Sequence, residues 1–262
     1  MISKDNFNRI VEKASGYRYS SMLYIDFDDC KNSEILHDGS DFILMQDKSK
    51  TPNMLHFAAN DFDALTKKIS KLQGVLRMNF VPKECADKLG SIGFTEWGEF
   101  LGFWNYDIAK TVAGFDDLDE HEYLDINDCG KASAISKKCT LQSRGFEGDS
   151  PEWFKEWIEE GNKVIILRMG SEIAGICCVA ITNNGTTLWI REIVVEPRHQ
   201  GMGLGKKLFK QALEYGVQNG AAKAFLMVDR LNANAINIYN KYGLYEKEGD
   251  SELQMIKRVN SN

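Results

Sequence analysis

No two cysteines in this chain stand in a C-x-x-C pair. The six (Cys30, Cys85, Cys129, Cys139, Cys177 and Cys178) are scattered, and the adjacent Cys177 and Cys178 would point to opposite faces of a strand. The four histidines, His37, His56, His121 and His199, are equally dispersed. Zinc-ligand spacing is therefore absent, no metal is expected, and the cysteines read as reduced, buried thiols of a cytoplasmic protein. A basic excess is also missing. With 32 Lys and Arg against 38 Asp and Glu, the formal charge is -6, which argues against a nucleic-acid partner, whose binding needs clustered cations. No apolar run is long enough to span a bilayer, so no membrane partner is expected. The first residues, Met1 to Phe7, have no apolar segment of a secretory signal.

What is present suits a soluble globular chain of one or two domains: 262 residues, 43% hydrophobic and 27% charged. Its most informative stretch runs from Ile193 to Leu208. A β-branched run, Ile193-Val194-Val195, breaks at Pro197. Glycines follow at 201, 203 and 205, and a helix continues with Leu204, Leu208, Ala212 and Leu213 on one face. A strand thus feeds a glycine-rich turn that becomes a helix N-terminus. Unpaired N–H groups at the positive end of the helix dipole make such a turn an anion site, most often for phosphate. The spacing G-x-G-x-G is not the dinucleotide fingerprint G-x-G-x-x-G. It also fails the Walker pattern, because three residues rather than four separate Gly201 from Gly205 and Lys207 stands where Ser or Thr would hold magnesium.

The surrounding elements can be read from periodicity and turn signals. Glu122 to Ile126 alternates as a strand, and Cys129 to Leu141 is helical. Asp149-Ser150-Pro151-Glu152 starts a helix that stops at Gly161. Strands follow at 163–169, 173–182 and 187–195, the last two joined by the hairpin signal Asn183-Asn184-Gly185. A helix from Gly203 to Asn219, a strand at 224–228, a helix from Asn232 to Tyr242 and two short strands, 244–247 and 253–257, complete the half.

The turn Gln200-x-x-Gly203-x-Gly205 after V-x-P-x-x resembles the acetyl-CoA loop of the GNAT superfamily of N-acetyltransferases. Asn232 to Leu244 is similar to the family's N-x-x-A-x-x-x-Y-x-x-x-G-F, with Leu244 in place of Phe. The element order over about 121–259 is the one this resemblance implies: an α/β fold on a mixed sheet. It further implies transfer of an acetyl group from acetyl-CoA to a primary amine, on a small molecule or peptide, by direct attack in a ternary complex. Backbone N–H groups from Gln200 through Gly201, Met202, Gly203, Leu204 and Gly205 to Lys206 would hold the pyrophosphate. Ile193, Val194 and Val195 would pair with the pantetheine arm, and Asn232 and Ala235 would flank the cofactor. Tyr239 would protonate the leaving thiolate. Glu192 is the candidate base, with Asp229 a second candidate. Ribosomal alanine acetyltransferases carry a glutamate where this chain has Met227, which argues against that substrate. A non-catalytic acyl-CoA-binding module is the alternative reading of the same loop.

The first half reads as strands at 17–28, 42–45, 54–57, 75–80 and 99–104. Helices are read from Asn60 or Asp61 to Gln73 and after Pro82. An offset of 150 residues lays Leu76-Arg77-Met78 on Leu226-Met227-Val228 and Gly93-Phe94-Thr95-Glu96 on Gly243-Leu244-Tyr245-Glu246. Asn232 then falls on Pro82 and Tyr239 on Leu89, so neither motif residue is kept. Any two strand-helix-strand units would align comparably, so the repeat stands as an expectation. It gives a smaller, degenerate GNAT-like domain at 1–115, an acidic linker at Phe115 to Glu120, and a catalytic domain at 121–262.

Overall fold

The computed structural model describes residues 1–115, 120–140, 144 and 146–258. They form two compact units, 1–100 with 251–258, and 101–250. Most of the acidic run expected to be a linker lies outside the described residues.

The first unit contains α1 (Lys4–Ala14), β1 (Tyr19–Ser20), α2 (Phe27–Cys30), β2 (Glu34–Asp38), β3 (Phe42–Asp47), β4 (Asn53–Ala59), α3 (Phe62–Ile69), β5 (Leu76–Pro82), α4 (Ala86–Gly90) and the start of β6 (Phe94–Asn105). The second holds the end of β6, α5 (Ile108–Val112), β7 (Glu122–Tyr123), α6 (Cys129–Lys138), α7 (Pro151–Glu159), β8 (Lys163–Met169), β9 (Glu172–Thr182), β10 (Thr187–Val195), α8 (Leu204–Gln218), β11 (Lys223–Asp229), α9 (Ala233–Lys241) and the start of β12 (Tyr245–Lys257).

In the first unit the strand order is β2-β3-β4-β5, completed by the far end of β12, whose Leu253 pairs with Val81. In the second it is β6-β11-β10-β9-β8-β7. Each sheet mixes parallel and antiparallel neighbours. β4 with β5 and β10 with β11 are parallel pairs, each joined by a helical crossover. Both faces of each sheet are covered. In the second unit α8 packs with Leu208, Phe209, Ala212 and Leu213 on one face, while α6 and α7 bring Ala132, Phe154 and Trp157 to the other.

Several elements differ from the sequence reading. Residues 17–28 make only the short β1 and then α2, because Asp26 and Asp29 form a reciprocal capping box that starts a helix. α1, capped by Ser3, and the short α5 were not anticipated. The two closing strands are one, β12, which runs through Gly249 at φ 80°. All six cysteines are free and buried.

Candidate active site

β10 is bound along its whole length by β9 on one edge, from Thr187 opposite Thr182 to Val195 opposite Gly175. On the other edge it pairs with β11 only at Thr187–Lys223, Leu188–Ala224 and Trp189–Phe225. Both strands continue, to Val195 and to Asp229, and among the described residues no strand pairs with β10 beyond Trp189 on that edge. The two strands therefore part. Glu196 N–H bonds to Ala174 C=O on the β9 side at 2.9 Å. Main-chain groups alternate in direction along a strand, so those of Val195 and Ile193 face the opening. Val195 C=O there accepts from Gln200 Nε2 at 2.9 Å and from Cys139 Sγ at 3.4 Å.

The glycine turn lies at the end of the opening. Gly201 and Gly203 take φ 78° and 83°, which L-residues adopt only with strain. Gly203 is the N-cap of α8, and no side chain caps that helix. Among the described residues no acceptor meets the N–H groups from Gly201 to Lys206. Exposed, unpaired donors at the positive end of a fifteen-residue helix suit a diphosphate. The parted strands suit an extended amide-bearing arm that adds hydrogen bonds like a strand. The donor set thus fits acetyl-CoA. Met202 is exposed, and Gln200 bends back onto Val195.

Tyr239 lies on α9, half buried, with its ring 5.0 Å from Phe209 and 6.2 Å from Phe103. Burial pushes its phenol well above the ordinary value, and the Cys177 thiol adds a smaller push in the same direction. Cys177 is the register partner of Ile193, so the phenol belongs to the level of the opening. Asn232 caps α9, its Oδ1 accepting from Ala235 N–H at 3.1 Å. That places Ala235 in the first turn of the helix.

Glu192 is brought to a different face. A β-bulge between Ile190 and Glu192 sets Arg191 and Glu192 side by side toward α6 and α7. Glu192 is 7% exposed. Ser136 Oγ donates to its Oε1 at 2.8 Å, and Arg191 Nη1 lies 3.6 Å from its Oε2. Burial raises its proton affinity well above that of an ordinary carboxyl, and the neighbouring Asp149 carboxylate adds to this. Arg191 and the Ser136 hydroxyl oppose it. Asp149 in turn accepts from Arg191 Nη1 at 2.7 Å and from Nη2 at 3.3 Å. The Arg191 guanidinium stacks on Trp153, 3.9 Å from the ring centroid.

Two further acids near the opening are held by cations. Glu196 accepts from Lys138 Nζ at 3.0 and 3.3 Å. Asp229, the second candidate base, accepts from Arg144 N at 3.0 Å, Nε at 2.9 Å and Nη2 at 2.6 Å, and from Leu231 N at 2.9 Å. Burial alone would raise the Asp229 carboxyl, but these donors outweigh it and hold it below its usual range. Ser136, Lys138, Arg144, Asp149 and Arg191 carried no signal in the sequence. Only the position of Arg191 beside Glu192 could have drawn attention. No cluster of three or more His, Cys, Asp or Glu suited to a metal occurs among the described residues, and no helix there is long and apolar enough to cross a membrane.

Residues 134–244 match the model of the acetyltransferase (GNAT) family. The chain is 31% identical over 139 residues to a thialysine N-epsilon-acetyltransferase of Sus scrofa, covering 49% of this chain and 75% of that one. It is 33% identical over 87 residues to a streptothricin acetyltransferase of Streptomyces lavendulae, 32% of this chain and 46% of that protein. The chain spans about half the length of several such curated relatives. Its fold is similar to that of a GCN5-related N-acetyltransferase from Kribbella flavida, with TM-score 0.54 at 12% identity, over 88% of this chain and 91% of that one.

Proposed function

Because the chain belongs to the acetyltransferase (GNAT) family, we propose that it is an N-acetyltransferase that moves an acetyl group from acetyl-CoA to a primary amine in a ternary complex. The observation that carries this reading is the parting of β10 from β11 beside an uncapped glycine turn. The catalytic unit in this reading is the C-terminal domain, 121–262.

Acetyl-CoA, when bound, supplies an already activated thioester, so the protein's tasks are binding, orientation and proton transfer. N–H groups from Gly201 to Lys206 hold the pyrophosphate, while the Gln200 N–H expected to join them is given to Pro197 C=O at 3.3 Å. Ile193 presents its outward N–H and C=O to the arm and Val195 its outward N–H, the Val195 carbonyl being held by Gln200 and Cys139, and an amide N–H there receives the thioester oxygen. Tyr239 keeps its proton at neutral pH and gives it to the departing sulfur. Glu192, whose affinity for a proton is raised, takes the proton the amine must lose. The relatives support an amine acceptor. The thialysine enzyme's name places its acetyl group on an ε-nitrogen. The acceptor here is a small-molecule or peptide amine.

A thiol-release assay with acetyl-CoA across polyamines, aminoglycosides, amino acids and short peptides tests the proposal. Release that depends on one amine class, with a singly acetylated product by mass spectrometry, is expected. Absence of acetyl-CoA binding in calorimetry would remove the reading altogether.

A further inference from the structure

The first unit contains a second pair of parted strands. β4 is held along one edge by β3, from Phe42 opposite Ala59 to Asp47 opposite Met54. On its other edge it pairs in parallel with β5 only at Asn53–Leu76, Met54–Arg77 and Leu55–Met78. β4 then runs on to Ala59 and β5 to Pro82. The second unit repeats this arrangement with β10 and β11, down to three register pairs before the parting.

In the first unit the opening is filled from within. β1 pairs antiparallel with β4, Tyr19 opposite Ala59 and Ser20 opposite Ala58. β3 already occupies the far edge, so β1 lies on the edge facing β5, inside the opening. Ser21 N–H donates to Phe57 C=O at 2.8 Å, and Phe57 N–H donates to Ser21 Oγ at 2.9 Å. Ser21 is fully buried. Asn60 N–H turns toward β3, to Asp41 C=O. By alternation Phe57 faces the opening, as Val195 and Ile193 do in the second unit.

The helix start is filled as well. β10 is joined to α8 by residues 196–203, which carry the glycine turn, and α8 has no side-chain cap. β4 is joined to α3 by residues 60 and 61 alone. Asp61 Oδ1 accepts from Asp63 N–H at 3.1 Å and Ala64 N–H at 3.0 Å. A carboxylate of the chain thus sits where the second unit leaves its helix donors free, and an anion at a helix N-terminus satisfies both the donors and the dipole.

We infer that the first unit is a second copy of the cofactor-binding frame whose two ligand positions are taken by the chain itself. Residues 19–21 stand for the extended arm and the Asp61 carboxylate for the phosphate, so the protein binds one acetyl-CoA per chain. This rests on the cofactor assignment made for the second unit.

Calorimetry on the full chain with acetyl-CoA should give one site, and the Gly203→Val chain should show none. Two sites, or a site that survives Gly203→Val, would overturn the inference. Hydrogen exchange followed by NMR on the wild-type chain without ligand separates the two readings. The Ser21 and Phe57 amides should exchange at least about a hundredfold slower than free amides, and added acetyl-CoA should leave them unchanged. Fast exchange, or loss of protection on adding acetyl-CoA, would overturn the inference. Slow exchange together with no binding at all would support the internal filling while removing the cofactor assignment.

Discussion

Ser136 Oγ donates to Glu192 Oε1 at 2.8 Å and, through the same oxygen, accepts the backbone N–H of Asp149 at 3.0 Å. One hydroxyl thus ties α6 to the bulged strand and to the segment that starts α7. It also favours the ionised form of Glu192, against burial and Asp149, which favour the protonated one.

Ser136→Ala removes that opposition. Glu192 should then hold its proton more tightly, so the acid limb of kcat/KM should move to higher pH. Stability should fall by about 1–2 kcal/mol, the cost of leaving a buried acceptor without its donor. A pH–rate profile and a urea titration read the two effects. An acid limb that stays in place would mean that Glu192 is not the group whose titration limits the reaction.

Gly148 and Gly203 share a left-handed backbone, φ 75° and 83°, yet their replacement should differ in cost. A Cβ at Gly203 meets nothing within 4 Å, so Gly203→Ala should cost about 1 kcal/mol of backbone strain. A Cβ at Gly148 would stand 2.6 Å from Lys137 Cα and N, where α6 passes beneath. Gly148→Ala should therefore cost roughly 3 kcal/mol or more and should displace Asp149 from Ser136. Chemical denaturation of the two variants side by side decides this. Equal losses would show that the close passage over α6 relaxes freely.

The strands flanking the glycine turn were legible because each is an apolar run closed by residues with special backbone demands. Asn183, Asn184 and Gly185 take positive φ at the β9–β10 turn, and Gly220 and Gly243 do so after α8 and α9. The division of β12 into two strands failed for a related reason. Glu248-Gly249-Asp250 has turn composition, but a strand can absorb one left-handed glycine when its partners continue on either side. The carboxyl cluster was illegible. Ser136, Asp149 and Glu192 are separated by 13 to 56 positions, and only the packing of α6 and α7 on the sheet brings them together. The filled opening of the first unit was equally hidden: residues 17–28 read as one full strand, and nothing in that pattern says that only Tyr19 and Ser20 pair or which edge of β4 they take.

His56 offers a test confined to the first unit. It is 3% exposed on β4, and neither ring nitrogen has a hydrogen-bond partner. Burial, with a smaller push from Lys50, lowers its pKa from 6.5 to about 4, while Asp47 acts weakly the other way. The folded protein therefore keeps His56 neutral while the unfolded chain takes up a proton near 6.5. The stability that depends on the neutral ring is complete above that pH and declines as the pH falls toward about 4, where the loss levels off. The total is roughly 3 kcal/mol. Urea titrations across this range should show the decline in the wild-type chain, and His56→Leu should flatten it by about that amount. An equal slope in both proteins would assign the pH dependence to other groups.

Tyr239 lies on the opposite side of the sheet from Glu192, packed on Phe209 and Phe103 and near Cys177. Burial keeps this phenol protonated at neutral pH, so the proton is in place for a thiolate that forms beside it, although the same burial makes it a weaker acid than a free tyrosine. Tyr239→Phe keeps the ring and its contacts and removes only the hydroxyl. Turnover should fall about a hundredfold or more, the usual range for a lost general acid, while the Kd for acetyl-CoA should stay within about twofold, since nothing assigned to the pyrophosphate or the arm has changed. The loss should be largest with acetyl-CoA and should shrink with an acyl donor whose leaving thiol is more acidic, because such a thiolate needs no proton to depart. A uniform loss across donors would give Tyr239 a packing role, and unchanged turnover would remove it from the reaction.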